Sequence, residues 1–472
     1  MADLNIATLQ QELKGEVITA EHPGYAKAIS RWAANAERRA KVVVFVKDSK
    51  DVVAALDFAK ANGLSIAVRG GGHHAAGASS IEDGLVIDLS HHMNKVKVDP
   101  SKKLAYVGGG ALWEAVDKEA IRHGLATVAG TVNHTGVGGL VLGGGYGWLS
   151  ASHGLVIDNL VQATVVTANG SILSASDSAN TDLFFAIRGG GGNFGVVTEF
   201  VFQLHPQRPT VYSGIILFPA SALEKLIKVT NEWWITASEK ESMLQITTFD
   251  PDGNPIVALF PFFNGPESEG REKFKPFLDI GPLADMSKEI PFEEVNGLQN
   301  SMAAHGRGVY QKGVGHKHFH YPSIAKAHEK LQELIKTTGS YQGAILYEYF
   351  PLHKVNSVSR DATAFQRELV PNALVILTWD HKAGDCSGQA RQLANELASI
   401  VVGVEPDITP SEALGYSNYD PEGAFTENGK ISAKAIEKAK HIFGDNYQRL
   451  QEIKKRYDPD NIFNKWFPII PA

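Results

Sequence analysis

The sequence predicts an α+β chain with a glycine-rich binding domain at residues 1–205, a second domain at 206–410 and a tail at 411–472 that returns to the first. Three observations predict it. Short β-branched strands alternate with brief helices as far as residue 205. Many of the 46 glycines crowd into clusters in that same stretch, at 70–72, 136–147 and 189–195. After His205-Pro206 the texture changes to longer helices and strands. Glycine is required where backbone takes positive φ or approaches another group closely, so dense clusters in one region point to backbone wrapped around a ligand.

Taken in order, Val42–Val46 is a buried strand. Ser49 caps the next helix, Asp51 sits in its first turn and Gly63 closes it. Leu64–Val68 is a strand that runs into Arg69-Gly70-Gly71-Gly72-His73-His74, and Leu85–Leu89 and Leu104–Val107 are further strands. A helix starts near Ala111, carries Leu112, Ala115, Val116 and Ile121 at helical spacing, and stops at Gly124. Leu160–Thr167 and Ser171–Ser174 form a hairpin about Asn169-Gly170. Asp182–Ile187 is a short helix, and Gly189–Gly192 then leads into a strand over Gly195–Leu204. The second domain has helices at Ala220–Thr236, Ser323–Thr338 and Ser387–Val401 and strands at Ile215–Phe218, Ile256–Phe262 and Ala344–Phe350. The tail carries a polar helix, Asn446–Arg456.

Composition narrows the function. The formal charge of −7 leaves no basic footprint for nucleic acid. The longest apolar runs, Val42–Val46 and Leu140–Leu142, fall far short of the roughly 18–20 residues of a membrane span. Met1–Asn5 is polar and lacks the layout of a signal peptide, so a cytoplasmic location is expected. A single cysteine, Cys386, excludes an internal disulfide framework and a cysteine-rich metal knuckle.

The glycines do not make a nicotinamide site. Gly190-x-Gly192-x-x-Gly195 matches the dinucleotide fingerprint formally, but a helix precedes it and a strand follows, the reverse of the required order. Gly70–Gly72 follows a strand, yet Ala75–Ser80 is no convincing helix, and no Gly-Lys-Ser/Thr loop exists. What remains is a pyrophosphate held by backbone N–H groups of irregular loops.

Several motifs carry a resemblance. Arg69-Gly70-Gly71-Gly72-His73 resembles the Arg-Ser-Gly-Gly-His loop of the vanillyl-alcohol oxidase / p-cresol methylhydroxylase type flavoproteins. Gly130–Gly139, continued by Leu142–Trp148, is similar to their second phosphate loop, and Asp182–Thr198 to a family signature. Tyr416-Ser417-Asn418-Tyr419-Asp420 and Asn446 through Phe463 resemble the C-terminal end of the berberine bridge enzyme-like branch.

The resemblance implies a two-part FAD-binding domain and an α+β substrate domain with a mainly antiparallel sheet covered by helices. It implies FAD bound covalently through His73, with His74 the weaker choice, because a neutral imidazole is a good nucleophile. Members with a second tether use a cysteine where this chain has Val132, so one covalent link is expected. The implied cofactor residues are Arg69, Gly70, Gly71, Gly72, His73 and His74 in the first loop. In the second they are Val132, His134, Thr135, Gly138, Gly139, Gly143, Gly144, Gly145, Tyr146 and Gly147. Asn193, Gly195, Val196, Val197, Asn418 and Tyr419 complete the set. Thr135 stands where the family controls oxygen access and His134 supports the loop or acts at the ring.

Oxidation of a C–H bond by flavin also needs a base near the reacting group. Tyr416 is the first choice, with Glu348, Tyr349 and Tyr419 behind it. Alternation along Tyr347-Glu348-Tyr349 puts Glu348 on the opposite face from the two tyrosines. The glutamate base of the alkaloid-type members is missing around Lys354–Ala364, so alkaloid cyclisation is not expected. The expected activity is an FAD-dependent oxidase acting on an alcohol or amine carbon of a small organic substrate, with O2 reduced to H2O2. A dehydrogenase with a quinone-type acceptor and a non-catalytic flavin carrier are the alternatives. Sugars, phenolic alcohols and amines all stay open as substrates. His316-Lys317-His318-Phe319-His320 is taken as a substrate-facing strand or a solvated face, with no metal. Two glycosylation-type triplets, Asn133-His134-Thr135 and Asn169-Gly170-Ser171, are read as chance.

Overall fold

A computed structural model describes residues 4–338, 341–403, 408–420, 426–427 and 430–472. In the glycine-rich half, a small sheet runs in the order Glu16–Ile18, Val42–Phe45, Leu85–Asp88, Ile66–Arg69. Its last three strands are parallel, and the helix Ser49–Ala61 makes the crossover. Asp48 caps that helix, accepting from the Lys50 and Asp51 amides at 2.9 and 3.1 Å. Ser49, expected as the cap, sits one residue inside and bonds Thr198 Oγ1 instead. An antiparallel five-stranded sheet follows, ordered Val96–Asp99, Leu104–Gly108, Val196–Gln203, Leu160–Val166, Ile172–Ser176. Gly170, at φ +81°, makes the expected hairpin turn.

From Thr210 onward the chain builds one nine-stranded antiparallel sheet. Its centre runs Pro255–Phe263, Glu241–Phe249, Tyr341–Tyr349, Asn372–Trp379, Gly308–Gly315. Alternation gives this sheet two apolar faces. Ile345, Tyr347 and Tyr349 pack beneath the helices Leu223–Thr236, Tyr321–Thr338 and Ser387–Val402. Leu244, Ile246, Leu346 and Leu374 share a core with Phe200 and Phe202 of the glycine-rich half.

The tail is tied to that half by charge. Lys454 is fully buried, and its ammonium donates to Asp458 Oδ2 (2.6 Å), the Asn193 carbonyl (2.6 Å) and the Phe463 carbonyl (2.7 Å). Burial pulls the lysine down to about 8, while Asp458 opposes the shift.

His316–His320 is not a strand. It lies between the strand ending at Gly315 and the helix starting at Tyr321. His316 is buried against Phe319 and Tyr347 on the helix-covered side, whereas His318 and His320 are exposed. Among the described residues no helix is long and apolar enough to cross a membrane.

Candidate active site

Between the glycine loops and the sheet lies a cavity of about 800 Å³, large for a small-molecule site. One wall is backbone. Gly71 and Gly136 touch: a Cβ on Gly71 would stand 2.4 Å from Gly136 Cα, and one on Gly136 would stand 2.4 Å from Gly71 N. Gly72 is at φ +71°, where glycine alone is unstrained. The amides of Gly70–His74 make no hydrogen bond among the described residues, and Gly138 and Gly139 lie in the first turn of the short helix Val137–Leu142. Two loops in backbone contact, lined with unused N–H groups, fit a pyrophosphate, and the cavity fits the rest of FAD.

The second loop contributes less than its glycines suggest. The amides of Gly144, Gly145 and Gly147 are spent on Val141 O, Tyr416 Oη and Ser150 Oγ at 2.9–3.0 Å. Their missing side chains make room for Phe365, Val156 and the Ala129 carbonyl. These three are packing glycines behind the wall. Gly143 is on the wall, and its missing Cβ makes room for Asn418 Oδ1.

His73 lines the cavity, stacked on Trp32 with ring centroids 4.0 Å apart and planes within 9°. Its Nε2 shares one proton with His134 Nδ1 across 3.1 Å, which leaves Nδ1 without a side-chain partner. Burial, and beyond it the repulsion a charged His73 would meet from His134 and His305, pulls His73 down to about 3, so the ring is neutral at physiological pH. His74 also borders the cavity, but its Nδ1 accepts the Ala78 amide (3.2 Å). Val132 and Thr135 stand on the same wall. Cys386 precedes the helix Ser387–Val402, on the far side of the sheet.

The opposite wall carries the acid–base groups. Glu348 is buried on the cavity face. Its Oε2 accepts from Tyr146 Oη and from Asn372 Nδ2 (2.9 Å), and its Oε1 accepts from Tyr419 Oη (2.9 Å). Burial raises the carboxyl to about 7 against the pull of these donors. Tyr416 packs edge-on against Tyr146 at 4.6 Å and Tyr419 at 5.0 Å. Its hydroxyl accepts from the Gly145 amide (3.0 Å) and Asn418 Nδ2 (2.6 Å), and burial lifts it well above the ordinary tyrosine range. Tyr349 does not join them. Alternation sends its ring to the helix-covered face, against Phe319 and Trp234.

Other expected residues stand behind the wall. Arg69 pairs with buried Asp88 at 3.1 Å and donates to the Ala28 carbonyl. Asn193 donates to Gly190 O and Phe467 O, bracing the C-terminal segment. Gly195 and Val197 reach the cavity, while Val196 is core. Sequence reasoning missed Trp32 and Asn372, single residues outside any motif.

This fold and this cavity define a flavin-dependent oxidoreductase. An FAD-binding domain model matches residues 40–176, and one described as "berberine and berberine like" matches 433–469. The FAD-linked oxidoreductase pgmH of Aspergillus terreus is 34% identical over 99% of this chain and 96% of its own length. The solved 6-hydroxy-D-nicotine oxidase of Arthrobacter nicotinovorans covers 98% of each chain at 26% identity with a TM-score of 0.86. The xylooligosaccharide oxidase of Myceliophthora thermophila covers 100% of each at 22% identity and a TM-score of 0.81, a likeness of fold. The chain belongs to the FAD-linked oxidoreductases of the vanillyl-alcohol oxidase type, in their berberine bridge enzyme-like branch.

Proposed function

We propose that this enzyme is an oxidase that carries FAD on a single covalent link to His73. It takes hydride from an alcohol or amine carbon of a small organic substrate and passes two electrons to O2, giving H2O2. The observation that carries the reading is the buried Glu348 cluster on the wall facing the glycine loops. Bound FAD supplies the two-electron acceptor. Glu348, held near 7, accepts the proton that leaves substrate oxygen or nitrogen. Tyr419 or Tyr146 relays it, giving its own proton to the carboxylate as it takes the substrate's. The geometry favours Glu348 over Tyr416, whose hydroxyl is already an acceptor twice over and lifted by burial.

On the loop wall, His73 would hold FAD through its neutral Nδ1, the ring nitrogen without a side-chain partner. His134 Nδ1, 3.1 Å from Nε2, would accept the Nε2 proton and so leave the Nδ1 lone pair free toward the cavity. Val132 supports a single tether, since its methyls cannot form a second. A 6-hydroxy-D-nicotine oxidase among the full-length structural relatives supports an oxidase acting on a small organic molecule.

Anaerobic incubation with a panel of alcohols, amines and sugars tests the reading. A substrate should bleach the flavin, and air should restore the colour with one H2O2 per molecule oxidised. Bleaching with reoxidation only by a quinone would make the enzyme a dehydrogenase.

A further inference from the structure

We propose that Arg307 selects substrates bearing a carboxylate on an apolar, aromatic body. The oxidase reading decides only whether such an acid is turned over. The binding preference stands apart from it.

Strand register places the groups. Gln342, Ala344, Leu346 and Glu348 alternate onto the cavity face, opposite Thr378, Ile376, Leu374 and Asn372 of the neighbouring strand. Polar residues therefore hold the two ends of this face and apolar ones its middle. Six residues separate Gln342 from Glu348, about 20 Å at roughly 3.4 Å per residue. Arg307 lies at the Gln342 end. It immediately precedes the strand Gly308–Gly315, whose Val309 stands opposite Thr378, and its Nε donates to Thr378 Oγ1 at 3.2 Å.

Its backbone is held firmly. The Arg307 carbonyl accepts the Ala34 amide at 2.8 Å, and the Gly306 amide donates to the Trp32 carbonyl at 3.0 Å. Asn35 bonds the Val309 backbone in both directions, at 2.8 and 3.1 Å. The segment that fixes Arg307 thus includes Trp32, the residue stacked on His73.

The guanidinium fork, by contrast, is unused. Neither Nη makes a hydrogen bond or ion pair among the described residues. Glu348 is at the far end of the face. Asp250, also on the wall, is engaged by the Asp252 and Asn254 amides and by Asn254 Nδ2 at 2.8–2.9 Å. The other basic residue of the wall, Lys465, belongs to the C-terminal segment beside Phe463 and Trp466. An anchored arginine with both Nη groups open to a cavity matches a planar carboxylate in a two-pronged bond. The apolar middle, Ala344, Leu346, Leu374 and Ile376, suits a flat hydrocarbon body.

The test is calorimetric titration of the FAD-loaded protein with biphenyl-4-carboxylate and with its neutral isostere, biphenyl-4-carboxamide. The carboxylate should bind about tenfold or more tighter, and added salt should erode the difference. Arg307→Gln should abolish the preference and leave both the amide affinity and the flavin content unchanged. Arg307→Lys should keep part of it. No preference in the native enzyme, or a preference intact in Arg307→Gln, overturns the proposal. Loss of flavin from Arg307→Gln would assign the arginine to the cofactor and overturn it as well. Biphenyl-4-carboxylate has no alcohol or amine carbon to give a hydride, so its binding does not test the oxidase reading. Failure of every compound in the anaerobic panel would sink that reading and leave the role of Arg307 standing.

Discussion

One wall of the cavity is backbone, and the wall facing it is side chains. On the loop wall, Gly71 and Gly136 meet in contact that no Cβ allows, and the neighbouring N–H groups are left for an anion. On the sheet wall, the cluster around Glu348 collects a tyrosine 202 positions away, an asparagine 24 away and another tyrosine 71 away. The difference is one of sequence locality. A backbone site is written in short contiguous motifs, because glycine acts through the chain at its own position. A site built on strands is written in register, which only the folded sheet supplies.

The comparison implies that the two walls fail separately. Gly71→Val gives the largest effect: its Cβ collides with the Gly136 backbone, and flavin content per protein should fall to background by absorbance. A fully loaded variant would break the backbone account. Gly144→Val is a poorer probe, because its Cβ would strike Phe365 and disturb packing first.

Glu348→Gln should leave flavin content intact and lower the rate of anaerobic flavin reduction by about 10²–10⁴-fold, the range for a lost general base. In the native enzyme that rate should rise with pH to a plateau above about 7, because the carboxyl must be ionised to accept a proton. The step should vanish in Glu348→Gln, and a native profile flat across neutrality would count against Glu348. Tyr419→Phe removes one donor and one relay and should cost about tenfold, with flavin loading unchanged.

One expected effect touches neither wall and lies at the seam between the halves. Asp117, on the helix Trp113–Ile121, is buried and accepts from Asn296 Nδ2 at 2.7 Å. Burial raises it to about 7. Its protonated form therefore contributes stability that is complete below the unfolded value near 4 and is lost as pH rises through 7. Asp117→Asn should be stabilising relative to native protein at pH 8, by up to about 4 kcal/mol, and should lose that advantage below pH 4. Equal melting shifts at both pH values would contradict this.

Locality also explains what could be read before folding. The loops at 69–74 and 130–139, the hairpin about Gly170 and most helices were legible, since each rests on residues close in sequence. Gly308–Gly315 and Asn372–Trp379, two strands of the sheet wall, were not. Glycines at 308, 313 and 315 make the first look like loop, yet Gly308 and Gly315 make room for Trp379 and the Glu412 carbonyl. Alternation did separate Glu348 from Tyr349, but which face meets the cavity depends on the helices covering the other. Tyr146 belongs to a glycine motif by position and to the acid cluster by contact, and only the bond to Glu348, 202 positions away, reveals it.

The central claim of the proposed reading is that the loop wall holds the cofactor, by a single covalent link at His73. Mass spectrometry of tryptic peptides from denatured native enzyme, His73→Ala and His74→Ala tests it most directly. The account predicts flavin mass on the peptide Gly70–Lys95, fragmentation placing it on His73, persistence in His74→Ala and loss in His73→Ala. Flavin released wholly on denaturation, an adduct on a peptide containing Cys386, or an adduct surviving in His73→Ala would contradict it.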